Sequence, residues 1–139
     1  VPQGAMSSLN PVLRIGRQID DIFEDHGVVH RPKDRIAIIE NLLQRVGLPA
    51  AVRHRFPHEL SGGMKQRVCI AMSIALKPSV ILADEPTAHL DSVTANAVME
   101  GLLTLARGRT LIVATHDPRL IARLDRAIAV SPSTTLVAA

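Results

Sequence analysis

The sequence predicts an α/β protein with a helical first half and a second half that alternates strands and helices around a parallel sheet. Apolar residues recur at helical spacing over residues 12–46. Two short apolar runs, residues 80–83 and 110–114, have the composition of buried parallel strands. Because a helical segment follows each run, we expect right-handed crossovers between the strands.

The composition limits the class of protein. The chain has 139 residues, enough for one domain with a core, and no apolar run approaches the ~18 residues of a membrane span. The net charge of +3 is spread along the chain, which favours an ordinary solvated surface over a nucleic-acid-binding face. A single cysteine, Cys69, excludes an internal disulfide and fits a reducing compartment.

Two helices follow an opening loop of residues 1–11. The first, residues 12–25, has one apolar face formed by Val12, Ile15, Ile19, Ile22 and Phe23. The second begins at Pro32 and ends before Gly47, a natural C-terminal cap. Its apolar stripe is formed by Ile36, Ile39, Leu42, Leu43 and Val46. Residues 48–60 are expected to be irregular.

The remaining elements begin at Ser61, which can cap a helix over residues 62–76 that stops before Pro78. The two predicted strands then alternate with helices. The further elements are a helix over residues 92–107, a short helix over residues 117–124 and a third strand over residues 127–130.

A glycine-rich stretch opens the helix after residue 60: Leu60-Ser61-Gly62-Gly63-Met64-Lys65-Gln66-Arg67. Unpaired backbone N–H groups point outward from a helix start, and the helix dipole adds about half a positive charge there. Glycines let an anion approach the backbone. A Ser-Gly-Gly triplet alone is better explained as a plain N-cap, whereas the longer string favours a nucleotide site.

An acid pair, Asp84-Glu85, follows the first predicted strand, at the end where α/β sheets bind ligands. Consecutive strand residues point to opposite sides, so the two carboxylates can have different roles. One can help hold Mg²⁺ through water, and the other can orient and deprotonate an attacking water. The alternative is a solvated acidic turn.

Three other polar residues carry weak signals by themselves. Asp91 is suited to cap the helix that begins at Ser92. His116 follows the second strand, where an imidazole can bind a phosphate or a water, although a lone histidine is more often structural. Gln3 proves nothing without its context.

Two histidine pairs are spaced four residues apart: His26 with His30, and His54 with His58. Gly27 interrupts the first pair and Pro57 the second, so neither lies on a regular helix face. The histidines therefore do not predict a metal site.

In combination, these motifs resemble those of the ATP-binding subunits of ABC transporters. Five stretches carry the resemblance in the family's order: residues 3–11 (Q-loop), 60–67 (signature motif), 80–86 (Walker B), 88–91 (D-loop) and His116 (H-loop). The Q-loop stretch and the Pro57-His58-Glu59 segment resemble the oligopeptide/dipeptide importer branch.

The resemblance implies a fold, the C-terminal part of a P-loop NTPase (RecA-like) parallel-sheet core together with the ABC α-helical subdomain. It divides the chain into a Q-loop segment (residues 1–11), a helical signature subdomain (12–77) and the C-terminal part of the ATPase core (78–139).

The resemblance also implies roles for residues. The catalytic set is Glu85 as general base, His116 as switch histidine and Gln3 as a sensor of Mg²⁺ and the attacking water. The Mg²⁺ ligands would be Asp84 and Gln3. Contacts to the ATP of the opposite subunit, or to the dimer interface, would come from Ser61, Gly62, Gly63, Gln66 and Asp91.

The sequence departs from the family pattern in several places. No Gly-x-x-x-x-Gly-Lys-Ser/Thr string occurs, so the P-loop is absent from these residues. Phe23 and Phe56 are the only aromatic residues, His89 stands where the family usually has a small residue, and the segment after residue 130 lacks the usual Gly-containing strand pair. We expect a chain cut from a longer subunit, inactive alone, and marginally stable or self-associating through exposed sheet edges.

The function that these resemblances imply is an ATP-hydrolysing subunit at the cytoplasmic face of the membrane, peripheral to it, which energises import of oligopeptides, dipeptides or a related small solute. Its partners would be a second ATP-binding subunit, identical or not, transmembrane permease subunits and, indirectly, an extracytoplasmic solute-binding protein, with no nucleic acid. Two alternatives stay open: a soluble ABC ATPase without membrane partners, and a non-catalytic truncated ABC fragment that only binds a partner.

Overall fold

The computed structural model describes residues 8–28 and 31–130. Gln3 and most of the stretch assigned to the Q-loop lie outside the described residues, as does the segment after residue 130. The expectations for those residues therefore stay predictions.

The described residues form five α-helices, two β-strands and two 3-10 turns. The helices are α1 (Ile15–Asp25), α2 (Pro32–Arg45), α3 (Gly62–Ile74), α4 (Ser92–Ala106) and α5 (Pro118–Ile121). The strands are β1 (Val80–Asp84) and β2 (Thr110–Ala114), and the 3-10 turns are Ala50–His54 and Pro57–Glu59. The predicted helices are confirmed, although α1 begins later and α3 and α5 end earlier than expected. No helix in this part of the chain has the length and apolarity needed to cross a membrane.

In the helical half, α1, α2 and α3 pack against one another, and the first 3-10 turn packs on α1 and α2. Its fully buried apolar side chains include Ile15, Ile19, Phe23, Leu43, Ile70 and Ile74. The close approach of α1 depends on Gly16, because a Cβ there would lie 2.9 Å from the carbonyl oxygen of Arg53. This core fixes the point at which α3 begins.

The sheet consists of β1 and β2, paired in parallel from Val80 opposite Thr110 to Asp84 opposite Ala114. The connecting helix α4 packs on α3, and its Val98, Leu102 and Leu105 share one core with Ile81 and Ala83. The parallel pairing confirms the predicted fold class.

The described residues leave the other face of the sheet largely uncovered. Val80 is 53% exposed, Leu82 64% and Ile112 52%. The prediction that both strands are buried is therefore wrong for this face, since both faces carry apolar side chains but the described residues cover only one. Apolar residues on both faces of a strand indicate that both faces are buried, but they do not show which segment covers each face.

The prediction of a third strand at residues 127–130 is wrong. These residues pair with no strand in the described part of the chain, and Ile128 and Val130 are 69% and 68% exposed. A short apolar run fits a strand only where a neighbouring strand edge supplies hydrogen-bond partners.

Candidate functional site

The loops that follow β1 and β2 meet at Glu85 and His116. The backbone N–H of Glu85 donates to the carbonyl of Ala114 at 2.8 Å, which extends the strand pairing by one bond. Oε1 of Glu85 accepts from the backbone N–H of His116 at 3.1 Å and lies 2.7 Å from its Nδ1. The Glu85 side chain is 18% exposed and that of His116 is 89% exposed. The predicted general base and the predicted switch histidine are therefore in direct contact.

The backbone at Glu85 has an unusual conformation, with φ at +43°. Residues other than glycine adopt this left-handed region at a cost of about 1–3 kcal/mol, and such strain concentrates at functional sites. A turn over residues 86–89 follows Glu85 directly. His89, farther along the same turn, also has a positive φ, of +61°.

Asp84 is the last residue of β1 and is exposed, whereas its neighbour Ala83 is buried. It therefore lies on the open face of the sheet with Leu82, while Glu85 turns toward the β2 loop. Among residues 8–28 and 31–130, no three His, Cys, Asp or Glu side chains cluster closely enough to hold a metal ion. An exposed single carboxylate fits Mg²⁺ held jointly by protein, water and substrate phosphates, the arrangement that this ion favours.

We call Asp84, Glu85 and His116 the strand-end group, and Ser61, Gly62, Gly63 and Asp91 the helix-start group. In the helix-start group, Ser61 is exposed and caps α3, its Oγ accepting from the backbone N–H of Met64 at 3.3 Å. Gly62 is half-buried and Gly63 is buried. The exposed part of this turn is thus Ser61 and Gly62.

Gly63 has a packing role that sequence reasoning missed. A Cβ at this position would overlap the side chain of Thr94 in the first turn of α4. Glycine is therefore required where α3 touches α4. The first turns of these two helices are in contact here, so their partly positive N-terminal ends lie close together.

Asp91 caps α4, its Oδ1 accepting from the backbone N–H groups of Val93 at 3.1 Å and Thr94 at 3.0 Å. Hydrogen bonds from the side chain and backbone of Thr94 lower the pKa of Asp91. The predicted N-cap is confirmed. Since Thr94 also contacts Gly63, Asp91 belongs to the same helix-start group as Ser61.

Two residues of the signature string, Gln66 and Arg67, are buried and half-buried, respectively. Gln66 is 8% exposed, so its predicted contact with nucleotide stays a prediction. Arg67 donates through Nη1 to the carbonyl of Gly47 at 3.0 Å and through Nε to that of Gly63 at 3.3 Å. Burial lowers the pKa of the Arg67 guanidinium. Arg67 thus ties the end of α2 to the first turn of α3, a role its position one turn after Gly63 could have suggested.

A cavity of about 280 Å³ lies elsewhere, between α1, α2 and the first 3-10 turn. Two of the arginines that line it are paired with acids, Arg35 with Asp20 at 3.1 Å and Arg53 with Glu40 at 2.8 Å. None of the predicted site residues that the structure describes lines it. The cavity is therefore not part of the candidate site.

Comparison with known proteins finds a family match for the chain. Residues 1–88 match the family model described as ABC transporter. The oligopeptide transport ATP-binding protein OppD of Lactococcus lactis subsp. cremoris is 37% identical over 97% of this chain, and OppD of Bacillus subtilis is 36% identical over 92%. The chain spans only 41% and 37% of the lengths of these two relatives.

Solved structures give the same result. The dimeric structure of MJ0796, described as a bacterial ABC transporter cassette, superposes with a TM-score of 0.73 at 32% sequence identity. The match covers 86% of this chain and 52% of the cassette. A structure of the same cassette in a post-hydrolysis state bound to ADP and phosphate superposes with a TM-score of 0.71.

Proposed function

Because the chain belongs to the ABC transporter family of ATP-binding proteins, we propose that it supplies the strand-end group and the helix-start group of an ATP-hydrolysing subunit. The subunit energises import of oligopeptides, dipeptides or a related small solute. The observation that carries the proposal is the contact between Glu85 and His116 at the carboxyl ends of two parallel strands.

Glu85 acts as the general base and takes a proton from the attacking water. An ionised carboxylate only accepts hydrogen bonds, so the 2.7 Å contact requires the proton on Nδ1 of His116. Oε1 is then occupied by two donors from His116, and Oε2 retains a lone pair for the water. His116 holds the base in place, and its other ring nitrogen, Nε2, would be left for a hydrogen bond to phosphate or water.

Asp84 would hold Mg²⁺ through water, and the ion would neutralise charge on the phosphates of ATP. Gln3 would complete the set as a sensor of the ion and of the attacking water. The exposure of Asp84 on the open face of the sheet supports this assignment, because an ion bound there keeps most of its waters.

The helix-start group would face the ATP of a second ATP-binding subunit. Exposed Ser61 and Asp91 at two adjacent helix N-termini support this, and so does the similarity to a cassette described as dimeric. Gly62, Gly63 and Gln66 would complete that contact. Permease subunits and an extracytoplasmic solute-binding protein would be the further partners of an assembly at the cytoplasmic face of the membrane. The similarity to proteins named for oligopeptide transport supports this assignment.

A second candidate function is a non-catalytic ABC fragment that only binds a partner. The apolar side chains of Val80 and Ile112, which the described residues leave exposed, favour it. On either reading, we expect the 139-residue chain by itself to hydrolyse ATP negligibly. Phosphate release by the purified chain that Glu85→Gln abolishes would contradict this expectation.

The proposed catalytic role is tested in a chimera in which residues 1–130 replace the matching segment of the Bacillus subtilis relative. Glu85→Gln keeps the shape of the side chain but removes the base, so phosphate release should slow by about 10²–10⁴-fold. Glu100→Gln, on the exposed surface of α4, is the matched control and should leave the rate unchanged. Equal rates for the two variants would reject Glu85 as the base.

A further inference from the structure

We propose that Thr87 and Thr115 are positioning residues that fix Glu85 against His116 through a reciprocal pair of hydroxyl–carboxylate hydrogen bonds. This rests on the proposed function, since it concerns the placement of the proposed base. Each strand-end loop contributes one hydroxyl and one carboxylate. We call Thr87, Glu85, Thr115 and Asp117 the threonine brace.

The brace is defined by two crossing bonds. In one, Oγ1 of Thr87 in the β1 loop donates to Oδ2 of Asp117 in the β2 loop at 3.0 Å. In the other, Oγ1 of Thr115 in the β2 loop donates to Oε2 of Glu85 in the β1 loop at 3.3 Å. Thr87 is only 6% exposed, so water competes little for its hydroxyl.

The direction of these bonds is set by their neighbours. The backbone N–H of Asp117 donates to Oγ1 of Thr115 at 3.1 Å, so the Thr115 hydroxyl accepts from that loop and donates to Glu85. Arg119 donates through Nη2 to Oδ2 of Asp117 at 2.8 Å and through Nε to Oδ1 at 3.0 Å. The Arg119 hydrogen bonds hold the pKa of Asp117 well below its usual range. Asp117 is therefore a permanent acceptor anchored at the start of α5.

The position of the Asp117 carboxylate does not depend on Thr87, whereas the Thr87 side chain is held by that carboxylate. Arg119 satisfies Asp117 whether or not the Thr87 hydroxyl is present. Without that hydroxyl, the turn after β1 loses its side-chain link to the β2 loop at Thr87, and the strained backbone at Glu85 is free to relax. We then expect the carboxylate to shift relative to His116, while the backbone bond from Glu85 to Ala114 keeps the strand pairing.

The first experiment uses the 139-residue chain with ¹⁵N-labelled histidine, and His116→Gln identifies the His116 ring signals. In the wild type, the Nδ1 chemical shift should show a protonated nitrogen bonded to Glu85. Thr87→Val, which keeps the side-chain volume, should shift or broaden this signal, and Thr87→Ser should restore it. Thr104→Val, on the exposed face of α4, is the matched control and should match the wild type. A Thr87→Val spectrum that matches Thr104→Val would overturn the proposal.

The second experiment measures ATP hydrolysis by the chimera. Because a displacement of about 1 Å at a reacting group can cost on the order of 100-fold, we expect Thr87→Val to lower kcat by about tenfold. KM for ATP should change by less than about twofold, since the brace touches the base and not the nucleotide-binding surface. Thr87→Ser should recover most of kcat.

The two experiments separate the two proposals. If Glu85→Gln slows the chimera and Thr87→Val does not, the brace has no positioning role. If Glu85→Gln leaves the rate unchanged, or the unsubstituted chimera hydrolyses no ATP, the proposed function fails. The His116 signals of the 139-residue chain then decide alone whether the brace holds Glu85 and His116 together.

Discussion

The helix-start group and the strand-end group differ in how the chain holds them. In the helix-start group, Gly63 is buried against Thr94, and the neighbouring Arg67 bonds two backbone carbonyls. In the strand-end group, His116 is 89% exposed, and hydrogen bonds between two loops hold Glu85. A substitution in the first group therefore changes stability together with function, whereas one in the second can change chemistry alone.

The largest effect on stability is expected at Gly63. In Gly63→Ala the new methyl group overlaps Thr94, and such overpacking costs about 1–3 kcal/mol of the free energy of unfolding. Urea unfolding of the 139-residue chain measures it. The double variant with Thr94→Ser removes the overlapping methyl group and should recover most of the loss.

Gly101→Ala in α4 is the matched control for this comparison. A Cβ at Gly101 would meet only the Cα of Val46 at 3.9 Å, so alanine fits and should stabilise the helix by up to about 1 kcal/mol. If Gly63→Ala were as stable as Gly101→Ala, the helix-start group would not depend on packing and the contrast between the two groups would disappear.

A smaller effect is expected at Asp91, which should make stability depend on pH. Its pKa is lowered in the folded chain, so the stabilisation is fully present above the pKa of the unfolded chain, near 4. It is lost as the pH falls through the lower folded value. Asn caps helices as well as Asp does but does not ionise, so Asp91→Asn should remove this part of the acid sensitivity.

Thermal melts of the wild type and of Asp91→Asn between pH 5 and pH 3 measure this difference. The wild type should lose more of its Tm than the variant over that interval. Equal losses of Tm in the wild type and the variant would show that the charge of Asp91 does not contribute to stability. The helix-start group would then be stabilised by packing alone.

Much of this arrangement was predictable from the sequence because its signals are local. The caps at Ser61 and Asp91 need only a short polar side chain before a helix, and both are confirmed. The parallel pairing of β1 and β2 follows from the alternation of strands with helices. The family could be recognised from the order of the motifs along the sequence, which does not depend on how the chain packs.

The rest depends on contacts between distant residues, which no local pattern encodes. Nothing near Gly63 in the sequence indicates Thr94, and nothing near Thr87 indicates Asp117. The third strand failed for the same reason, since the apolar run at residues 127–130 could not reveal that no strand edge in the described chain would receive it. Exposure of the outer sheet face likewise depends on what else packs there.

The most direct test of the central claim is a double-mutant cycle on Glu85 and His116 in the chimera. If the two side chains act as one unit, Glu85→Gln combined with His116→Ala should slow phosphate release no more than the worse single variant does. Losses that multiply would show that Glu85 and His116 act independently, and the 2.7 Å contact would then have no part in hydrolysis.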